Sequence, residues 1–100
     1  MKNKFYYNDG TTSSEYYPSK ALHRTDGPAM EYASGYKAWW VDGKRHRTDG
    51  PAVETTDGSK YWFINSVAYG KGQFNELVEE IKQLPLALKL TDPREWVRKL

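Results

Sequence analysis

The chain has no cysteine. No disulfide framework can staple it, so packing must hold it together, and a reducing compartment is favoured over a secretory one. Nor does any apolar run approach the ~20 residues of a membrane helix, and the polar start at Lys2-Asn3-Lys4 does not resemble a signal peptide. A strong charge of either sign is missing too: 15 Lys and Arg stand against 13 Asp and Glu, for a net +2. That balance gives no broad nucleic-acid footprint, although it leaves room for a local basic stripe. Apolar residues make up only 38% of the chain, below the usual ~45–50%. Aromatic side chains compensate. There are 15 of them, and each buries roughly 150–250 Å² when enclosed. One hundred residues then make one domain with one core.

The main positive feature is a repeat. His-Arg-Thr-Asp-Gly-Pro-Ala occurs at His23 to Ala29 and again at His46 to Ala52, 23 residues later. The same offset aligns Glu31 with Glu54, Gly35 with Gly58, Lys37 with Lys60, Trp39 with Trp62 and Asp42 with Asn65. Carried upstream, it sets Tyr16 on Trp39, Tyr17 on Trp40 and Tyr7 on Met30, with the Asn8-Asp9-Gly10 turn near the turn of the later units. Three units follow, at about residues 1–22, 23–45 and 46–68. A fixed period constrains fold far more than function.

Each unit has a short half-apolar run, a Gly-containing turn and an aromatic run, such as Lys37 to Val41 or Lys60 to Ile64. Aromatic and β-branched residues suit a pleated surface, and Asp-Gly between such runs signals a hairpin. The expected fold is α+β: an antiparallel β-meander of about three repeated hairpins over residues 1–70. Gly27 and Gly50 are expected to supply positive φ in the connectors, ahead of Pro28 and Pro51. Strand alternation puts Trp39, Val41, Trp62, Ile64 and Tyr16 on one face. Ala38, Trp40, Tyr61, Phe63 and Tyr17 fall on the other.

Residues 71–100 read as a helical segment of the same domain. Phe74, Leu77, Val78, Ile81 and Leu84 follow the spacing of an amphipathic helix from Gln73 to Leu84. Gly70-Lys71-Gly72 is the joint, and Pro85 ends or kinks the helix. Asp92-Pro93-Arg94-Glu95 then opens a last helix to Leu100, with Asp92 as cap, Pro93 at the first position and Trp96 turned to the core. Leu86 to Leu90 fits a strand or a helical turn. One or two helices thus cover one sheet face, and the sequence leaves open which.

The string Trp39 to Ala52 resembles MORN-type repeats, more specifically a MORN-variant set common in tailed bacteriophages, some bacteria and large DNA viruses. The resemblance covers about residues 16–69 and is specific over 21–69. It implies a twisted antiparallel sheet used as a binding scaffold, mostly without assigned activity. In the last unit Asn65-Ser66-Val67 replaces Asp42-Gly43-Lys44 and no further His-Arg follows, which marks a terminal, capping unit.

Two candidate sites follow. The His-Arg-Thr-Asp loops invite a hydrolase or nuclease reading, with His as general base and Asp as orienter or metal ligand. Residues that recur in every unit usually build the unit, however. Equivalent positions two strands apart, ~10 Å, cannot share one ion. No catalytic residue, cofactor or metal is therefore assigned. A weaker functional reading has Arg24, Arg47 and Lys44 along a sheet edge, engaging acidic partner groups. The sharper candidate is the aromatic row Tyr17, Trp40, Tyr61 and Phe63, a composition typical of interface hot spots. It would equally stack unpaired bases. Arg94, Arg98 and Lys99 beside Trp96 are too few charges for a phosphate surface. The expected function is a non-enzymatic protein-binding module. If the phage-like resemblance holds, it inhibits a host enzyme or defence complex in the host cytoplasm. A single-stranded nucleic-acid binder is the alternative beside the loop hydrolase. The chain is expected to be a monomer or a dimer paired through sheet edges.

Overall fold

The structure, a computed structural model, describes residues 2–83 of the chain. It is α+β, an antiparallel sheet with one helix packed against it. The strands are β1 Lys4–Tyr6, β2 Thr12–Ser13, β3 Met30–Glu31, β4 Lys37–Ala38, β5 Trp40–Val41, β6 Lys44–Arg45, β7 Val53–Glu54, β8 Lys60–Ile64 and β9 Val67–Tyr69. The helix is α1, Lys71–Lys82. Seven strands lie in the order β2-β1-β3-β4-β7-β8-β9, with β5 and β6 as a two-stranded ribbon beside them. The proposed helix from Pro93 and the Leu86 to Leu90 stretch lie outside the described residues.

The second and third units have more strands than a single hairpin supplies. β3 and β4 form the expected hairpin, but the chain continues past Trp39 into β5, turns at Asp42-Gly43 and returns as β6. The next unit does the same with β7, β8 and β9, turning at Asn65-Ser66. Both central residues of these tight turns have positive φ: 48° and 79° at Asp42 and Gly43, 51° and 67° at Asn65 and Ser66. That is the geometry of a two-residue turn matched to strand twist. The hairpin turns at Tyr32 to Tyr36 and Thr55 to Ser59 instead carry a left-handed glycine, Gly35 or Gly58, at φ 103° and 90°.

The first unit departs from the expected alignment. Lys4 and Phe5 pair with Glu31 and Met30, as Lys37 and Ala38 pair with Glu54 and Val53 in the next unit. Tyr6 N–H donates to Ala29 O, and Tyr6 O accepts from His23 N–H. Trp39 makes the same two bonds with Ala52 and His46. Tyr6, not Tyr16, therefore holds the position of Trp39, and Tyr7 holds that of Trp40. The fixed 23-residue offset misses this because the tight turn is replaced by a longer excursion, residues 8–21, that contains β2. Its turn is fastened by Asp9, which accepts from the Thr11 hydroxyl and the Thr11 backbone N–H and faces Lys20 Nζ at 3.1 Å. Those contacts, the Thr11 hydroxyl first, lower the Asp9 pKa from 3.8 to about 2.

Cross-strand pairing sorts the residues into two faces. On one, Lys4, Glu31, Lys37, Glu54 and Lys60 stand side by side with alternating charge across β1, β3, β4, β7 and β8. On the other, Phe5, Met30, Ala38 and Val53 form a buried row that ends at Tyr61. With Tyr7, Leu22 and Ala29 this row makes the first core, and Trp40 and Phe63 pack against it. Tyr16 lies 5.8 Å from Phe5, centroid to centroid, so it belongs to this face rather than to the Trp39 face where alternation put it. The second core is Ile64 with Phe74, Val78 and Ile81, flanked by Trp62, Tyr69 and Leu77. The helix thus covers the Trp62 and Ile64 face.

Helix α1 starts two residues before the expected Gln73. Gly70 is its cap, and Gln73 Oε1 accepts from the Gly70 N–H at 3.2 Å. The apolar spacing turns Phe74, Val78 and Ile81 inward as expected. By the repeat, Tyr69 and Gly70 hold the places of His46 and Arg47. The helix therefore begins where a third Thr-Asp-Gly-Pro-Ala loop would have followed.

Candidate functional site

The two His-Arg-Thr-Asp-Gly-Pro-Ala loops are built almost wholly from contacts with their own sheet. His23 Nδ1 accepts from Asp42 N–H at 3.0 Å, and His46 Nδ1 accepts from Asn65 N–H at 3.1 Å. Each imidazole thereby secures the tight turn that follows it in the sheet. Arg24 lies 4.1 Å over the Tyr6 ring and Arg47 lies 4.0 Å over Trp39. Arg24 Nε donates to Asp26 Oδ1 at 2.9 Å, and Arg47 Nε to Asp49 Oδ1 at 2.7 Å. Their Nη1 atoms donate to the carbonyls of Pro28 and Pro51 at 3.1 and 3.0 Å. The Arg24 hydrogen bond, and then its charge, hold the Asp26 carboxyl below its ordinary 3.8. Ala29 and Ala52 are fully buried.

The glycines serve a purpose different from the expected one. Neither Gly27 nor Gly50 has positive φ. A Cβ there would instead meet the guanidinium carbon, at 2.9 Å from Arg24 Cζ or 2.8 Å from Arg47 Cζ. Glycine lets the arginine fold flat over the loop. The Asp26 and Asp49 side chains accept from the arginine of their own loop. Among the seven residues only Thr25 and Thr48 are left exposed with no bond to the scaffold among the described residues.

Between the two loops runs an open groove of about 580 Å³, lined by Arg24, Asp26, Trp39, Val41, His46 and Asp49 among others. Burial lowers the His46 pKa from its usual 6.5, and its Nδ1 is already an acceptor. The imidazole is therefore neutral and its Nδ1 lone pair is occupied. Among the described residues no three His, Cys, Asp or Glu side chains gather in a way that could hold a metal ion.

The aromatic row lies on the opposite face from these loops. Three equivalent cross-strand pairs run through it: Tyr7 with Leu22, Trp40 with Arg45, and Phe63 with Ala68. Trp40 and Phe63 are half-buried, Tyr61 is 52% exposed, and Tyr17 is 48% exposed with its ring 6.3 Å from Tyr7. The structure therefore puts all four on one side of the sheet, away from α1. Arg24 and Arg47 are on the other side and engaged within the fold. Lys44, opposite Val41 in the ribbon, is half-buried there too.

One residue escaped the sequence reading. Arg45 lies 5.2 Å from the Trp40 ring and 5.4 Å from the Phe63 ring. Its Nε and the Trp40 Nε1, like the Asn65 Nδ2, are buried donors with no acceptor among the described residues. Each such orphan costs roughly 1–3 kcal/mol. A signal for Arg45 did exist. Its equivalents are Leu22 and Ala68, so it is among the positions where the repeat is not kept. Attention to recurring residues pointed away from it.

No known protein family, curated protein or solved structure matches this chain. No helix among the described residues is long and apolar enough to cross a membrane.

Proposed function

We propose that the protein is a non-enzymatic binding module that docks another protein on the face carrying Trp40, Phe63, Tyr61 and Tyr17. The observation that carries this reading is the division of labour between the faces. Most polar side chains of the repeated loops are used within the fold, the arginines on their own loop's aspartate and carbonyl and the imidazoles on the following turn, which argues for a scaffold role and against two copies of a catalytic loop. The other face keeps large aromatic side chains partly exposed, Trp40, Tyr61 and Phe63 on strands and Tyr17 beside Tyr7, the composition of an interface centre. The resemblance to MORN-variant repeats of bacteriophage proteins supports the same reading and makes a host protein the proposed target.

Affinity capture from a host lysate, after nuclease treatment, tests this. A single stoichiometric protein should be retained by the native chain and lost by Tyr61→Ser and by Trp40→Ala/Phe63→Ala. Tyr61 is exposed, so its variant separates lost binding from lost folding. Retention of the same protein by both variants would end the proposal for this face. Loss of all capture after nuclease treatment would transfer the face to single-stranded nucleic acid.

A further inference from the structure

We propose that Arg45 is a carboxylate receptor: the guanidinium between Trp40 and Phe63 docks an acidic side chain of the protein partner. This rests on the reading of that face as the docking surface and adds the chemistry of what it takes.

Three observations converge. First, Arg45 differs from its neighbours in how it is used. Arg24 and Arg47 each donate to an aspartate and to a carbonyl. The Arg45 guanidinium has no acceptor among the described residues, and only its Nε is sealed from solvent. Its terminal nitrogens are left to reach a ligand. Second, it is already placed. Rings on both sides restrict the side chain, so little rotamer freedom remains to be lost on binding. Third, the position does not require an arginine. Leu22, 3% exposed, fills the equivalent place in the first unit and Ala68 fills it in the third. A charge has been set among aromatic rings where the fold accepts an apolar side chain.

The ligand must be an acceptor, because the terminal nitrogens of a guanidinium can only donate. A carboxylate matches the planar fork of a guanidinium with two parallel hydrogen bonds. A nucleic-acid phosphate would accept from the same fork, but a nucleic-acid backbone is held by a row of cations. Among the described residues the ribbon and the strand beside it offer one, and Lys20, over the Tyr7 ring in the first unit, is already paired with Asp9. Lys44 faces the other way with Val41, and Arg24 and Arg47 are engaged on that other side. One cation ringed by aromatics fits a single Asp or Glu flanked by apolar residues.

The test is an NMR titration of the isotope-labelled full chain with a blocked peptide, acetyl-Leu-Glu-Leu-amide. Its Gln analogue and an oligo-dT strand are run beside it. The Arg45 Nε–H and Trp40 Nε1–H signals should move in a saturable way with the Glu peptide. The Gln analogue should bind roughly 10- to 100-fold more weakly, as the loss of a charge-assisted pair requires. Arg45→Leu should keep the fold, as Leu22 does in the first unit, and lose the response. Equal shifts with Glu and Gln peptides, no shift with either, or a larger response to oligo-dT would each overturn the inference. Capture of the cellular partner separates it from the broader reading. A partner lost by Tyr61→Ser but kept by Arg45→Leu would leave the docking face standing and remove the carboxylate receptor.

Discussion

At Gly50 the repeat's chemistry is at its closest quarters. The Arg47 guanidinium lies between the glycine backbone and the Trp39 ring, with Asp49 and the Pro51 carbonyl as its acceptors. Alanine at position 50 would push Arg47 Cζ from a 2.8 Å approach. The arginine can swing away, but it then gives up the stack and two hydrogen bonds. The expected loss for Gly50→Ala is about 1–2 kcal/mol. In an Arg47→Ala background the obstruction is gone, and the backbone there is not in the left-handed region. The same substitution then becomes neutral or stabilises by up to about 0.5–1 kcal/mol, by restricting the unfolded chain. Chemical denaturation of the four proteins in the double-mutant cycle measures this coupling. Additive effects would show that the arginine does not need the glycine. The sequence made the importance of Gly50 legible through its recurrence. The reason was not legible, because a close approach and a positive φ leave the same mark on a sequence.

At the scale of the elements, each imidazole fastens the tight turn of its own unit. His46 Nδ1 receives the Asn65 N–H at the start of the turn Asn65-Ser66, and the adjacent Ser66 N–H donates to Arg45 O at 2.8 Å. Protonation would turn that acceptor into a donor facing a donor. Burial lowers the His46 pKa below its ordinary 6.5. The unfolded chain therefore takes up the proton first as pH falls, and the folded state loses stability through the window from about 6.5 down to the depressed folded pKa. Above that window the group has no effect. His46→Asn retains a side-chain acceptor near the Nδ1 position and removes the titration. It should flatten the fall in melting temperature just below pH 6.5 while leaving the value at pH 8 little changed. A parallel fall in both proteins would assign the acid response elsewhere. Asp9, Asp26 and Asp57 all have lowered pKa values, so their contributions disappear only in more acidic solution. The hairpins and the helix were legible as periodic signals. The second tight turn of the middle and last units was not separated from the long strand, since Trp-Trp-Val-Asp-Gly-Lys has no break in apolar pattern before Asp42.

For the described molecule as a whole, the two cores follow from a repeat that ends. In the middle unit Trp39 is covered by the next loop through Arg47. In the last unit Trp62 has no following loop, and α1 takes that place, burying Ile64 completely with Phe74, Val78 and Ile81. The amphipathic pattern showed that a helix would cover something. Its target face could not be read, because both faces of β8 carry aromatic residues and only the end of the repeat decides between them. If α1 is a cap on a one-dimensional array, damage to it should stay local. Phe74→Ala removes a ring that is 3% exposed and should cost about 3–5 kcal/mol. Native-state hydrogen exchange should then show α1, β8 and β9 opening well before the amides of Met30, Ala38 and Val53, which belong to the other core. In the native chain the difference between the two groups should be smaller. An equal loss of protection across both cores would mean that the sheet and its cap unfold as a single cooperative unit, and that the repeat architecture has no separate energetic expression in a chain this short.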